Sequence, residues 1–149
     1  MVASSCGGGS SNKIGMVTPP SENIFGTYQL AGFGLEQVST SNIIRNQDDF
    51  IPWSGSMDID PYEIVKRLCK QGSCEIEHAD YQFTVEEVIL PFADGKLIYQ
   101  VSGSFVSNVF YQIDCLSLVI YRYYTGYSIG SNTYGPCFEY EYWEKTSDL

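Results

Sequence analysis

The sequence predicts a mainly β protein, an antiparallel β-barrel or strongly curved sheet with one short helix. Short runs rich in β-branched and aromatic residues recur from Ile24 onward with turn residues between them. The closing run, Phe138 to Trp143, alternates aromatic side chains with Glu139 and Glu141, the pattern of a half-buried antiparallel strand. No internal repeat is visible, and successive short strands joined by turns favour a barrel over a stack of units.

Each element has its own justification. Residues 1–22 form a tether, because Gly7 to Ser11 have nothing to bury and Pro19 and Pro20 stiffen the approach to the first apolar run. Residues 23–149 make a single domain, and the chain's 149 residues suffice for one core. Ile24 to Leu30 is the first strand, with Gly32 and Gly34 punctuating its end. The one helix starts at Asp60 as cap, with Pro61 in the first turn and Glu63 completing a capping box. Ile64, Val65 and Leu68 give it an apolar stripe, Lys66, Arg67 and Lys70 lie toward its negative end, and Gly72 stops it. Asp94 and Gly95 turn the chain from the run Tyr81 to Leu90 into Lys96 to Phe105. There Leu97, Tyr99, Val101 and Phe105 share a face, and Gly103 marks a bulge or bend. Val109 to Tyr124 places Tyr111, Ile113, Cys115, Val119, Tyr121 and Tyr123 on one face. In the last strand Phe138, Tyr140 and Tyr142 point inward, and Glu139 and Glu141 outward.

Charge narrows the function. A formal net charge of −10 argues against nucleic acid and anionic headgroups as partners, since both require a positive field. Catalytic patterns are thin. His78 is the single histidine, no serine sits in a nucleophile elbow, and no glycine pattern offers an oxyanion site. Glu86 and Glu87 are adjacent, so on a strand they face opposite ways and make a poor pair for glycoside chemistry. Cys69, Cys74 and His78 are loosely spaced like zinc ligands but lack a second cysteine pair. Asn46, Asp48, Asp49, Asp58 and Asp60 gather oxygens without a glycine-centred calcium loop, and read as a solvated acidic loop. The expectation is a non-catalytic protein without metal or cofactor.

Five cysteines leave one over after pairing. Cys6 stands apart, so the simplest arithmetic is one modified cysteine and two disulfides, which places the chain outside the cytosol. Free, buried thiols are the alternative. Cys69, Cys74, Cys115 and Cys137 allow three pairings, which sequence leaves open. Cys69–Cys74 with Cys115–Cys137 is favoured, since the first would close a short loop and the second would tie two long runs together.

Two resemblances follow. Ala3-Ser4-Ser5-Cys6, followed by glycine and serine, resembles the cleavage box and tether of a bacterial lipoprotein. That resemblance implies acyl chains on Cys6, a membrane anchor there, and a place in the bacterial cell envelope. Gly7 in place of aspartate implies the outer membrane. Gly26-Thr27-Tyr28-Gln29-Leu30 is similar to the opening strand of lipocalins and lipocalin-like lipoproteins, as is the Tyr/Glu-alternating end followed by Lys145. This implies a small apolar ligand held in a cavity lined by Tyr28, Leu97, Tyr99 and Tyr140.

The stretch Arg122 to Cys137 suggests another binding mode. Tyr123, Tyr124, Tyr127 and Tyr134 stand among Ser128, Ser131 and Asn132, the composition of loops that bind proteins or glycans. Such a module would have a packed interior and a tyrosine-rich rim. Its partner would be an envelope protein or glycan, with a basic lytic enzyme one fit for the negative charge.

Overall fold

The structure, a computed structural model, describes residues 24–40, 42–46, 53–85, 90, 92–114 and 116–148. Its strands are β1 (Gly26–Gln37), β2 (Ile43–Asn46), β3 (Trp53–Ile59), β4 (Ile64–Lys70), β5 (Ser73–Phe83) and β6 (Gly95–Val101). They continue with β7 (Ser104–Val106), β8 (Val109–Asp114), β9 (Ser117–Tyr124), β10 (Tyr127–Ile129), β11 (Asn132–Tyr134) and β12 (Cys137–Asp148). Eight of them, β1, β3, β4, β5, β6, β8, β9 and β12, pair in that order, and β12 pairs with β1 to close an antiparallel barrel. Strands β2 and β7 lie off the ring against β1 and β6, and β10–β11 is a separate hairpin.

Tight turns set several registers. Gln71 and Gly72 join β4 to β5 with φ of 50° and 85°, and Ser102 and Gly103 join β6 to β7 with 51° and 82°. Two successive positive φ values fit the right-handed twist of the flanking strands. At Gly95 an added Cβ would fall 1.8 Å from the Thr84 carbonyl oxygen, so only glycine lets the β5–β6 connection pass.

The expected helix is a turn followed by a strand. Asp60 does cap: its Oδ1 accepts the backbone N–H groups of Tyr62 at 2.7 Å and Glu63 at 2.8 Å. The cap closes the β3–β4 turn, where the Asp60 N–H donates to the Glu63 carbonyl. Beyond it, β4 pairs along its length with β3 and β5. A seven-residue helix could not match two full ladders and the β-branched pair Ile64 and Val65. Ile64 and Lys66 are buried and Leu68 packs against the same core, so the inward period is two.

The barrel interior is filled. Trp143, Tyr111, Phe83, Met57, Ile59, Ile64, Leu97 and Leu118 are almost wholly buried, and Tyr28 and Tyr99 pack among them. Tyr28, Leu97 and Tyr99, expected to line an open cavity, therefore belong to a packed cluster, and Tyr140 packs elsewhere. One end of the barrel is closed by tyrosine hydroxyls that donate to backbone carbonyls. Tyr28 reaches Ile24 at 2.7 Å, Tyr81 reaches Asp60, and Tyr111 reaches Thr84.

A second cluster lies on the outer wall, and it inverts the expected faces of β12. Phe138 and Tyr140 pack outside with Phe110, Tyr121, Tyr123 and the fully buried Leu90. Glu139 and Glu141 share the inward face with Trp143. Alternation alone does not orient a strand whose two faces are both covered. The run from Val109 is likewise split by the β8–β9 hairpin: Tyr111 faces the core, and Val119, Tyr121 and Tyr123 face the outer wall. Phe105, expected beside Leu97 and Tyr99, lies past the Ser102–Gly103 turn and is 71% exposed.

Candidate functional site

The end opposite the tyrosine-capped base is a polar mouth. Across it Lys66 of β4 meets Glu141 of β12, Nζ to Oε1 at 3.2 Å, with the lysine side chain 8% exposed. The same carboxylate oxygen accepts Trp143 Nε1–H at 3.1 Å. Tyr99 donates to Glu77 Oε1 at 2.6 Å, and Lys66 Nζ lies 5.6 Å from the Tyr99 ring centre. Burial, and then the bond to Glu77, push the Tyr99 phenol well above its ordinary range. These contacts satisfy a lysine that an apolar lumen could not hold alone.

Glu139 and Glu141 stand between two recesses. One, lined by Lys66, Ile120 and Arg122 with both glutamates, is a recess of about 40 Å³. The other, lined by Phe33, Gly34, Trp53 and Tyr140 with the same glutamates, is a shallow recess of about 30 Å³, room for little more than a water molecule. Phe33 and Trp53 stack at 4.6 Å, and Lys70 Nζ sits 4.0 Å from the Trp53 ring centre.

The four tyrosines singled out in the sequence separate. Tyr123 packs on the outer wall. Tyr124 donates to Glu139 Oε1 at 2.8 Å, and burial together with Glu139 pushes its pKa up to about 12. Its ring meets Tyr127 edge-on at 5.2 Å, and Tyr127 is paired with Tyr134 across the β10–β11 hairpin. Gly130, at φ 60°, turns that hairpin, and Ser128, Ser131, Asn132 and Thr133 are exposed along it. Tyr124, Tyr127 and Tyr134 thus form one patch beside the mouth.

Cys69 and Cys74 face each other in register and form a disulfide at the β4–β5 hairpin, on the mouth side. Cys137 is a free, buried thiol, and Cys115, its favoured partner, lies outside the described residues. Cys137 opens β12 opposite Tyr124. Burial, then Glu139, raise the Cys137 thiol pKa. Cys6, Cys115, Asp48, Asp49, Glu86 and Glu87 lie outside the described residues. His78 is exposed, with Nδ1 3.1 Å from Glu63 Oε1. Among the described residues no three His, Cys, Asp or Glu side chains gather as metal ligands. Asp58 accepts the Thr27 hydroxyl, and Asp60 is occupied as a cap.

The sequence patterns gave no site role to the mouth residues Lys66, Glu77, Phe33 and Trp53, and Lys66 stood there only as part of the expected helix. Lys66 was legible in principle, since a period of two from Ile64 to Leu68 puts it on the buried face. No protein-family model matches the chain, and neither a curated protein nor a solved structure matches it significantly. Fold and site therefore define the class on their own: an eight-stranded antiparallel barrel, packed inside, with a polar, aromatic-edged mouth.

Proposed function

We propose that the chain is an exported, lipid-anchored, non-catalytic binding module whose mouth rim recognises an envelope protein or glycan. The observation that carries this reading is the filled lumen. With Trp143, Tyr111, Phe83 and Leu97 packed inside, recognition falls to the rim and not to an enclosed apolar pocket. Tyr124, Tyr127 and Tyr134 supply rigid amphipathic area there, and the exposed serines, threonine and asparagine of the hairpin supply adaptable hydrogen bonds. The Cys69–Cys74 bridge favours an oxidising compartment, and the isolated Cys6 after small residues favours acylation.

Capture of envelope components on immobilised protein tests the rim. Tyr127→Ala with Tyr134→Ala abolishes specific capture while the melting temperature holds; retained capture overturns the reading. The intact mass of protein from its native host carries acyl chains on Cys6, and an unmodified cysteine there removes the anchor.

A further inference from the structure

We infer that the mouth-end edge of β5 pairs with an extended basic segment of a partner protein, which joins the sheet as a further strand. The inference goes beyond the rim reading, because it concerns a sheet edge apart from the tyrosine hairpin. Strand β5 pairs with β4 along residues 73–79 but with β6 only from Ala79 onward. Strand β6 ends at Val101, and the Ser102–Gly103 turn sends the chain back along its other edge as β7. Residues 73–78 therefore have β4 on one side and, among the described residues, no strand on the other.

The backbone of this edge is ready to pair. Cys69 and Cys74 face each other with Cα atoms 4.0 Å apart, the spacing of a non-hydrogen-bonded pair. The N–H and C=O groups of Cys74, and of Ile76 two residues on, thus point away from β4 toward the open edge. Residues 73–76 are exposed, Ile76 by 62%. The disulfide clamps the hairpin beside them, so an incoming strand meets a template that is already ordered. Unpaired edges of this kind bind extended chains through main-chain hydrogen bonds, with side chains setting the choice.

Charge selects the occupant. Glu75 and Glu77 flank Ile76 on the opposite face of the strand, and the Tyr99 hydroxyl holds Glu77 at 2.6 Å. The basic residues of β4 are engaged elsewhere: Lys66 with Glu141, Arg67 with Cys74 Sγ, and Lys70 over the Trp53 ring. A second copy of the chain is a poor partner. Antiparallel self-pairing centred on Ile76 sets each Glu75 against Glu77 of the other copy, and centring on either glutamate sets it against itself. Like charges directly opposite destabilise a sheet. A strand with lysine or arginine at alternate positions and apolar residues between them matches both faces, cations against Glu75 and Glu77 and an apolar side chain against Ile76. The net charge of −10 steers such a partner toward the protein.

The probe is an end-blocked peptide of alternating lysine and valine, followed by fluorescence anisotropy. It binds at least about tenfold more tightly than the same peptide with glutamate for lysine. It binds tighter by a similar margin than one N-methylated at the valines, the residues that would pair with Cys74 and Ile76. In the complex, amide exchange at Cys74 and Ile76 slows by about tenfold or more. Ile76→Pro deletes an outward N–H without touching the β4 ladder, and it abolishes binding. Where proline unfolds the hairpin, Glu75→Gln with Glu77→Gln reads the same site, since glutamine still accepts the Tyr99 hydroxyl; it weakens the peptide by about tenfold. Equal binding of the N-methylated peptide means charge contact without strand pairing and overturns the inference. So does unchanged exchange at both amides, wild-type affinity in the glutamine double variant, or a dimer in sedimentation that Ile76→Pro breaks. No envelope component is present, so failure here leaves the hairpin reading standing, and failed capture by the hairpin leaves the edge standing.

Discussion

Replacing Glu141 by glutamine separates the charge of the mouth network from its hydrogen bonds. The amide keeps an oxygen where Oε1 accepts Trp143 Nε1–H at 3.1 Å, so that bond survives. The attraction on Lys66 Nζ, now at 3.2 Å, does not. At an effective dielectric of about 20 that attraction is worth roughly 5 kcal/mol before desolvation is counted. Removing one member of a buried pair costs about 3–5 kcal/mol, because the other charge is left uncompensated. Glu141 is 22% exposed at the mouth, so water relieves part of the cost. A loss of about 2–3 kcal/mol is the reasoned value, or a fall in melting temperature of about 10 °C for a domain of this size. Lys66→Met strands the carboxylate and should cost less, since the glutamate is the more exposed partner. The double variant removes both charges and returns to within about 1 kcal/mol of the wild type. Urea denaturation of the four proteins gives the coupling energy directly. Singles that each lose under about 0.5 kcal/mol, or a double variant no better than their sum, would refute the reasoning.

Other outcomes follow from packing and protonation. Tyr81, Tyr121 and Tyr124 are held up to about 12 chiefly by burial, and Tyr28, Tyr99 and Tyr111 higher still. The folded state thus keeps protons that the unfolded chain sheds near pH 10, so their contribution is intact below 10 and fades as pH rises through 12. Ultraviolet titration should show delayed phenolate formation coupled to unfolding; early, reversible ionisation of all twelve tyrosines would contradict it. Cys137 should resist thiol reagents in the native protein and react on unfolding, since it is wholly buried with a raised pKa; prompt native labelling would contradict its burial. Gly95→Ala should cost about 1–3 kcal/mol or more in chemical denaturation, because the Thr84 carbonyl must move and it accepts the Tyr111 hydroxyl. An unchanged midpoint would show that the connection yields.

The β character and the barrel were legible because strand-forming residues and turn chemistry agree along most of the chain. The β4 segment was not. Asp60, Pro61 and Glu63 form a motif common to helix starts and tight turns, and only the neighbours β3 and β5 decide between them. Faces failed where the wall is covered on both sides. The outer cluster around Leu90, Phe110 and Phe138 gives β12 two apolar faces, and the bulk of Trp143 selects the inner one. The tyrosine stretch was found by composition, yet its breakup into Tyr123 on the wall and the other three at the rim depends on the parity of β9, which local sequence does not show. Lys66 went unread as a lumen residue once its segment was taken as a helix.

The two ends of the barrel differ in a way that bears on function. At the base, tyrosine hydroxyls are spent on backbone carbonyls, and the core is apolar up to that cap. At the mouth, inward positions carry Lys66, Glu77, Glu139 and Glu141, whose burial is costly unless they are paired. The strands that leave the ring also cluster there. Strand β2 flanks the late half of β1, β7 folds back on the end of β6, and the β10–β11 hairpin joins the end of β9 to the start of β12. A closed sheet needs none of these additions for its own ladders. Charges that folding does not require, beside excursions that closure does not require, are the features on which the proposed recognition at this rim rests.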